Sequence, residues 1–475
     1  MKFFLNVLFV AIASYSFGQV NYIYVSLDGN DNNTGKVNKP VQSIKRALEL
    51  SYSHAGKRVS IQLSGGTYYL QEAVEIVNSP DFPLEIEITA SKGQEVFISA
   101  GRLLKTDWQH FKGGIYRTPV PSGSTFEQLF VNGNLQPLAR YPNIDSTAKV
   151  FGGTAEDATY YVRVLTWGNP VGGYVHALDE NKTGSLHYKI TGVDDTDNLE
   201  LEGGWQFKKL AHMSQKERYV ENVFVELDEP GEWYLDKTAH VLYYYPTLGT
   251  DLSKSKFEVS HLKNSFIVKG SENKKLKNVH IKNLNYLHNE RSFMDSKDTL
   301  TGSDRAVFRG GAVALEDTQD CSIENCSFSG LGGNAVVFNN FNERGTVTGC
   351  FISNIGSSGV SMLGNCKDCL IQDNLFSKMG TIEKQGVAVY MNGVKKSSIV
   401  QNTIIKTPGY GIKIENCNLA EIKVVQNESV KIFQEIRPMA DDMTETTGDG
   451  HQESNSGVQK PRLKAFVPSL KVNHK

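Results

Sequence analysis

Apolar and polar positions in the second half of the chain recur as short units. Ser322-Ile-Glu-Asn-Cys326, Thr346-Val-Thr-Gly-Cys350, Leu370-Ile-Gln-Asp-Asn374 and Ser398-Ile-Val-Gln-Asn402 share one pattern, and their last positions lie 24, 24 and 28 residues apart. Val279-His-Ile-Lys-Asn283 is a looser earlier copy and Lys423-Val-Val-Gln-Asn427 a later one. Each is followed by a Gly-apolar run such as Gly332-Gly-Asn-Ala-Val-Val-Phe338 or Gly386-Val-Ala-Val-Tyr390. No apolar stripe of period 3.6 persists across a copy, which excludes helical repeats. A strand–turn–strand unit of about two dozen residues is one coil of a β-solenoid. The closing Cys or Asn should stack in one column inside a turn. There Asn can satisfy backbone groups above and below it, and Cys can act as a small apolar filler.

The start of the chain suits the end of such a solenoid. Tyr22-Ile-Tyr-Val-Ser26 alternates like a strand, and the polar run Asp28 to Gly35 is turn material. Ile44, Ala47, Leu48 and Leu50 fall near one face of a short helix. Predicted strands follow at 59–63, 74–76, 84–89 and 96–99. The helix would cover strand edges that an open solenoid end exposes. From Ser124 to about Val259 the rhythm breaks, aromatics such as Trp167, Trp205 and Trp233 accumulate, and Leu129-Phe-Val-Asn-Gly133 signals a hairpin. This stretch reads as an inserted β-rich domain whose aromatics form a core or a platform for sugar rings. The predicted fold is therefore all-β, a right-handed parallel β-helix with an inserted β-rich domain. Its predicted parts are a leader over 1–18, a capping helix and first coils over 19–118, the insertion over 119–260, the repeats over 261–431 and a tail over 432–475. The tail is polar and aperiodic. It would leave the last coil uncapped, which favours a reading frame lost near Lys431 over a native flexible segment.

Composition narrows the partners. Lys+Arg is 50 and Asp+Glu is 52, a net charge of −2, so no basic field exists to hold nucleic acid. The 475 residues exceed what one ordinary core organises, and 43 glycines against 14 prolines suit many tight turns. Lys2, the mostly apolar run Phe3 to Ala13 and the small Ser16 and Gly18 read as a secretory leader cleaved after Gly18. The run is too short for the roughly 20 residues that span a bilayer. The expected product is a soluble monomer, secreted or periplasmic, with no membrane span. Of the six cysteines, Cys326 and Cys350 occupy equivalent repeat positions and are expected to be structural. Cys366-Lys-Asp-Cys369 lacks the second ligand pair that a zinc site needs, so a local disulfide is its alternative.

The chain carries no G-x-S-x-G, H-E-x-x-H or phosphate-loop motif. Candidate chemistry falls instead to carboxylates on solenoid turns. Stacked coils are about 4.8 Å apart. Acids on neighbouring coils, or two coils apart, thus approach the spacings of retaining and inverting glycosidases. Asp304, Glu316 and Glu383 are the candidate catalytic acids. Arg309, Asn340, Asn342, Gln385, His187 and Trp205 are the candidate substrate contacts, with Arg309 beside Gly310-Gly311 in need of a partner or an anionic ligand. The bland alternative for each acid is a solvated turn, and for each histidine a core or surface position. No metal or cofactor is expected.

Several phrases resemble a known family. Leu129-Phe-Val-Asn-Gly-Asn-Leu-Gln-Pro-Leu-Ala-Arg-Tyr-Pro142, Glu232-Trp-Tyr-Leu-Asp236 and Gly310-Gly-Ala-Val313 with Gly332-Gly-Asn-Ala-Val336 are similar to glycoside hydrolase family 141 and its relatives. The resemblance runs from about Tyr22 to Asn418. It implies a pectin-lyase-like helix, an inserted β domain and a polysaccharide or oligosaccharide partner. It also implies further coils with acidic residues where this chain enters its tail. Three functions compete: a glycoside hydrolase with a carboxylate pair, a non-catalytic carbohydrate binder, and a polysaccharide lyase. The lyase would need a group to neutralise a uronate, often calcium, and no dense Asp cluster of that quality is present.

Overall fold

From Val279 onward, the bend between the first two strands of each coil is made at one left-handed residue. Asn283, Asn325, Gly349, Asp373, Gln401 and Gln426 have φ of 57, 51, 65, 53, 57 and 54°. Only glycine and, less readily, short polar residues visit this region without much strain. Five of them immediately precede a Cys or Asn of the predicted column, whereas Asn283, expected to close its own copy, is the bend residue and Leu284 follows it. The computed structural model describes residues 19–427, except 272, and 432–434. Among them, strands before the bend form a nine-stranded sheet, strands after it a seven-stranded sheet, and the third strand of each coil a ten-stranded sheet. Pairing between successive coils is parallel and in register, as in Ser322↔Thr346↔Leu370↔Ser398.

The three sheets enclose one core. Ile88, Ile281, Ile323, Val347, Ile371 and Ile399 stack one per coil with essentially no exposure. The column of Cys326, Cys350, Asn374 and Asn402 forms as expected and continues to Asn427. The Cys350 amide donates to Asn374 Oδ1 at 2.9 Å, the Asn374 amide to Asn402 Oδ1 at 3.0 Å, and the Asn402 amide to Asn427 Oδ1 at 2.9 Å. All six cysteines are free and buried, and burial pushes the Cys321 and Cys369 thiols up to about 11. No Cys366–Cys369 disulfide forms. The helix Ile44–Ser51 starts where Ser43 Oγ accepts from the Arg46 amide at 3.1 Å, and its Ile44, Ala47 and Leu48 close the first coil.

The insertion begins earlier than 119. The solenoid strand Val96–Ser99 ends, and Gly101–Leu103 already pairs antiparallel with Phe257–Ser260. The hairpin Gln109–Lys112 and Ile115–Pro119 likewise joins Val241–Tyr244, so the solenoid resumes only at Phe266–Lys269. Asn132 and Gly133, with φ of 50 and 78°, make the predicted hairpin turn. Many of the aromatics are core: Trp233, Tyr244 and Phe257 fill one cluster, and Trp167 another. The strand Ile432–Gln434 pairs with Ile412–Glu415, so the repeats pass Lys431. The leader and the tail beyond 434 lie outside the described residues. Among the described residues no helix is long and apolar enough to cross a membrane.

Candidate functional site

In the coil after Asn285–Leu287 the chain does not turn directly into the ten-stranded sheet. Residues 288–312 form a strap over that sheet's outer face. Leu300 and Val307 pack on the outward side chains Val337, Leu363 and Tyr390. Asn392 Nδ2 donates to the Thr301 carbonyl at 3.0 Å, and Tyr390 lies 3.2 Å from Ser303 Oγ. The inserted domain holds the strap from the other side. Phe207 forms an antiparallel bridge with Arg305, and the Ala306 amide donates to the Gln206 carbonyl at 3.0 Å.

Between strap and solenoid turns lies a small hollow, bordered by Arg305, Asn334, Ser357, Glu383, Gln385 and Tyr390 among others. Its cavity volume is only about 20 Å3, room for little more than one small group. Glu383 is buried. Burial pushes its carboxyl above the usual range, more than Ser296, Ser357 and the Arg305 charge pull it down. Glu415, equally buried, goes the other way. Burial again opposes its charge, but Lys413 at 2.5 Å and the Tyr390 hydroxyl at 2.6 Å outweigh it and hold the carboxyl below its ordinary value. The charges of both acids reach Arg305, whose guanidinium lies over the Tyr390 ring at 5.7 Å.

A second polar network joins the hollow to the insertion. The Ser185 amide donates to Gln385 Oε1 at 3.0 Å, and the Lys384 amide to Ser185 Oγ at 2.9 Å. Ser185 Oγ also meets His187 Nε2 at 2.9 Å, His187 Nδ1 lies 2.6 Å from His176 Nδ1, and His176 Nε2 is 3.0 Å from Glu221. Burial drives both imidazoles below their usual value, toward the neutral form. Glu221 is ion-paired to Arg291, which also grips Glu127 at 3.2 Å. Burial penalises Glu221, but the Arg291 charge and then His176 overcome it and keep the carboxyl far below its ordinary range.

The expected site residues thus separate. Glu383 and Gln385 border the hollow. His187 touches it only through Ser185. Asp304 points away, 3.7 Å from Lys209 and nearly half exposed. Glu316 pairs with Lys269 at 3.2 Å and accepts from Asn340 Nδ2 at 3.2 Å, so both belong to a surface ladder. Its strand lies three coils, roughly 14 Å, from the strand after Glu383, too far to act as its partner. Arg309 already has its partner, Asp298 at 3.3 Å. Asn342 is inside the coil, bonded to Thr318 Oγ1 at 2.6 Å and the Asn339 carbonyl at 2.7 Å, and we assign it to the core. Trp205 flanks the strap with Lys297 over its ring at 3.9 Å. Arg305, Tyr390 and Glu415 border or adjoin the hollow but are not among the expected site residues. The available signal was Tyr390 and Glu415 on strands just after the Gly386 and Gly409 turns, one coil apart.

Comparisons with known proteins agree with this architecture. The family model described as "Right handed beta helix region" matches residues 258–435. No curated protein matches the chain. A solved structure named "Glycoside hydrolase" is 19% identical, covers 83% of this chain and 80% of its own, and superposes with a TM-score of 0.67. A complex of XylC with xylose, at 12% identity, covers 86% of this chain and 64% of its own with a TM-score of 0.45. The GH136 lacto-N-biosidase from Eubacterium ramulus, at 10% identity, covers 89% and 66% with a TM-score of 0.32. The chain spans just under two thirds of these last two. The family match, the first superposition and the parallel three-sheet coils together establish a right-handed parallel β-helix.

Proposed function

We propose that this protein is a secreted glycoside hydrolase acting on a complex polysaccharide, with Glu383 as its acid and Glu415 as the charged carboxylate. The observation that carries the reading is the opposite tuning of two buried acids beside one arginine. Burial favours the neutral Glu383, which can then donate a proton to a glycosidic oxygen. Lys413 and Tyr390 favour the ionised Glu415, which can stabilise positive charge at the anomeric carbon or activate a water. Environments that push two acids apart are how one site runs acid and base chemistry at one pH. The likeness to a structure named "Glycoside hydrolase" and the resemblance to family 141 support the class by analogy. The hollow has no room for a sugar ring, so a chain would bind along its mouth.

The test is a panel of polysaccharides assayed for released reducing ends, with Glu383→Gln and Glu415→Gln alongside the wild type. Each substitution is expected to lower kcat at least about 100-fold, the usual scale of one acid–base group. Wild-type turnover that survives in both variants would remove these two acids from the mechanism. Absorbance at 235 nm separates hydrolysis from elimination, since only a lyase leaves an unsaturated product.

A further inference from the structure

Arg305 is a cation buried without an acceptor. It keeps 8% of its surface exposed, and among the described residues its guanidinium forms no hydrogen bond to a protein oxygen. Its acidic neighbours act on it through charge, but among the described residues none makes an ion pair or hydrogen bond with it. Glu415 is engaged by Lys413 and the Tyr390 hydroxyl, and burial favours the uncharged form of Glu383. Tyr390 offers Arg305 only a ring face. Gln385 borders the same hollow, is 6% exposed, and has its Oε1 fixed by the Ser185 amide and hydroxyl. Its Nε2 is buried and finds no acceptor. Buried donors left unmatched are costly, and a planar guanidinium fork matches a carboxylate. Arg305 is also held in place, because its backbone bridges Phe207 of the inserted domain.

We propose that the hollow is an anion subsite, in which Arg305 and the Gln385 amide nitrogen bind the carboxylate of a uronic acid residue whose ring stays at the mouth. The assignment rests on the glycosidase reading for the polymer, but not for the anion. The small reachable volume suits a planar carboxylate better than a ring. It also moves the acidic-sugar contact from Arg309, which Asp298 already satisfies, to Arg305.

The experiment is titration calorimetry of the full chain with glucuronate, galacturonate, glucose, galactose and glucose 6-sulfate, together with Arg305→Met and Arg305→Lys. A uronate is expected to bind at least tenfold tighter than its neutral hexose, and Arg305→Met to abolish that preference. Arg305→Lys, which keeps the charge, should retain part of it. Thermal melts of both variants establish that they fold. Equal binding of uronate and hexose, or an unchanged preference in a folded Arg305→Met, would overturn the subsite. Tighter binding of glucose 6-sulfate than of either uronate would also overturn the carboxylate assignment, giving the site to sulfate esters. Uronate binding without cleavage of any glycan would leave the subsite standing and remove the hydrolase reading. Cleavage of neutral glycans without uronate preference would do the reverse.

Discussion

His288 shows how burial alone sets the chemistry of a residue in this chain. It packs on Phe130 with ring centroids 4.4 Å apart and meets Ser99 Oγ at 3.0 Å. Burial lowers it to about 4, although Glu258 pulls the other way. An unfolded histidine titrates near 6.5. Between those values the unfolded chain binds the extra proton, so stability is full above about pH 6.5 and falls as pH drops toward 4. The whole shift is worth about 3 kcal/mol. His288→Gln, which can keep the Ser99 contact, should melt with a weaker dependence on pH across that window. Parallel slopes for wild type and variant would show that His288 is not the titrating group. The same dependence on surroundings explains which residues of the hollow could be read ahead of the structure. Glu383 and Gln385 stand on a turn beside a Gly-apolar run, where repeats expose their chemistry. Asn340 and Asn342 look alike in sequence, but a local left-handed bend at Asn340 sends one to the surface and the other into the core. Arg305 stands in the same turn-rich insertion as Asp304 and Arg309, but nothing in a one-dimensional pattern shows that its charge, or that of Glu415, is dry.

At the scale of the element, the asparagine ladder was the most legible feature, since a residue repeated once per coil must stack. Asn402 is its best-connected described member. Its Nδ2 donates to the Ile371 and Val400 carbonyls at 2.9 and 3.1 Å, and its Oδ1 accepts from the Asn374 amide at 3.0 Å. Asn402→Ala strands these buried partners and should cost about 3 kcal/mol, several times one net hydrogen bond. Cys350→Ala removes only a sulfur and should cost about 1–2 kcal/mol. Urea unfolding of the two variants gives the comparison, and equal losses would show that the ladder contributes packing rather than hydrogen bonding. The insertion boundary was harder to place. Gly101–Leu103 and Ile115–Pro119 have the short, alternating look of solenoid strands, and only their distant antiparallel partners, Phe257–Ser260 and Val241–Tyr244, assign them to the insertion.

For the whole molecule, the question is what couples the inserted domain to the coil it leaves. Arg291, at the root of the strap, reaches into the insertion to Glu221 and Glu127, and its guanidinium lies 4.8 Å from the Phe293 ring, which in turn packs on Tyr174 and both network histidines. Long-range pairing of this kind carries no sequence period, which is why repeats announce the solenoid and nothing announces the joint. Removing one partner of a buried ion pair strands the other, typically at about 3–5 kcal/mol. Arg291→Met should therefore destabilise the chain by that amount, and adding Glu221→Gln should recover part of it by removing the stranded charge. The acid limb gives a second check. Glu221 is depressed in the folded chain, so its contribution is present above its unfolded value, near 4.5, and is lost as pH falls through the folded one. The gap between wild type and Arg291→Met should be full at pH 7 and narrow below about pH 4.5. Chemical unfolding followed by tryptophan fluorescence measures it, because Trp167 and Trp233 both lie in the insertion's cores. A gap that holds constant from pH 7 down to pH 3 would mean that Arg291 acts through packing against Phe293 and Tyr174, and that the joint is apolar rather than ionic.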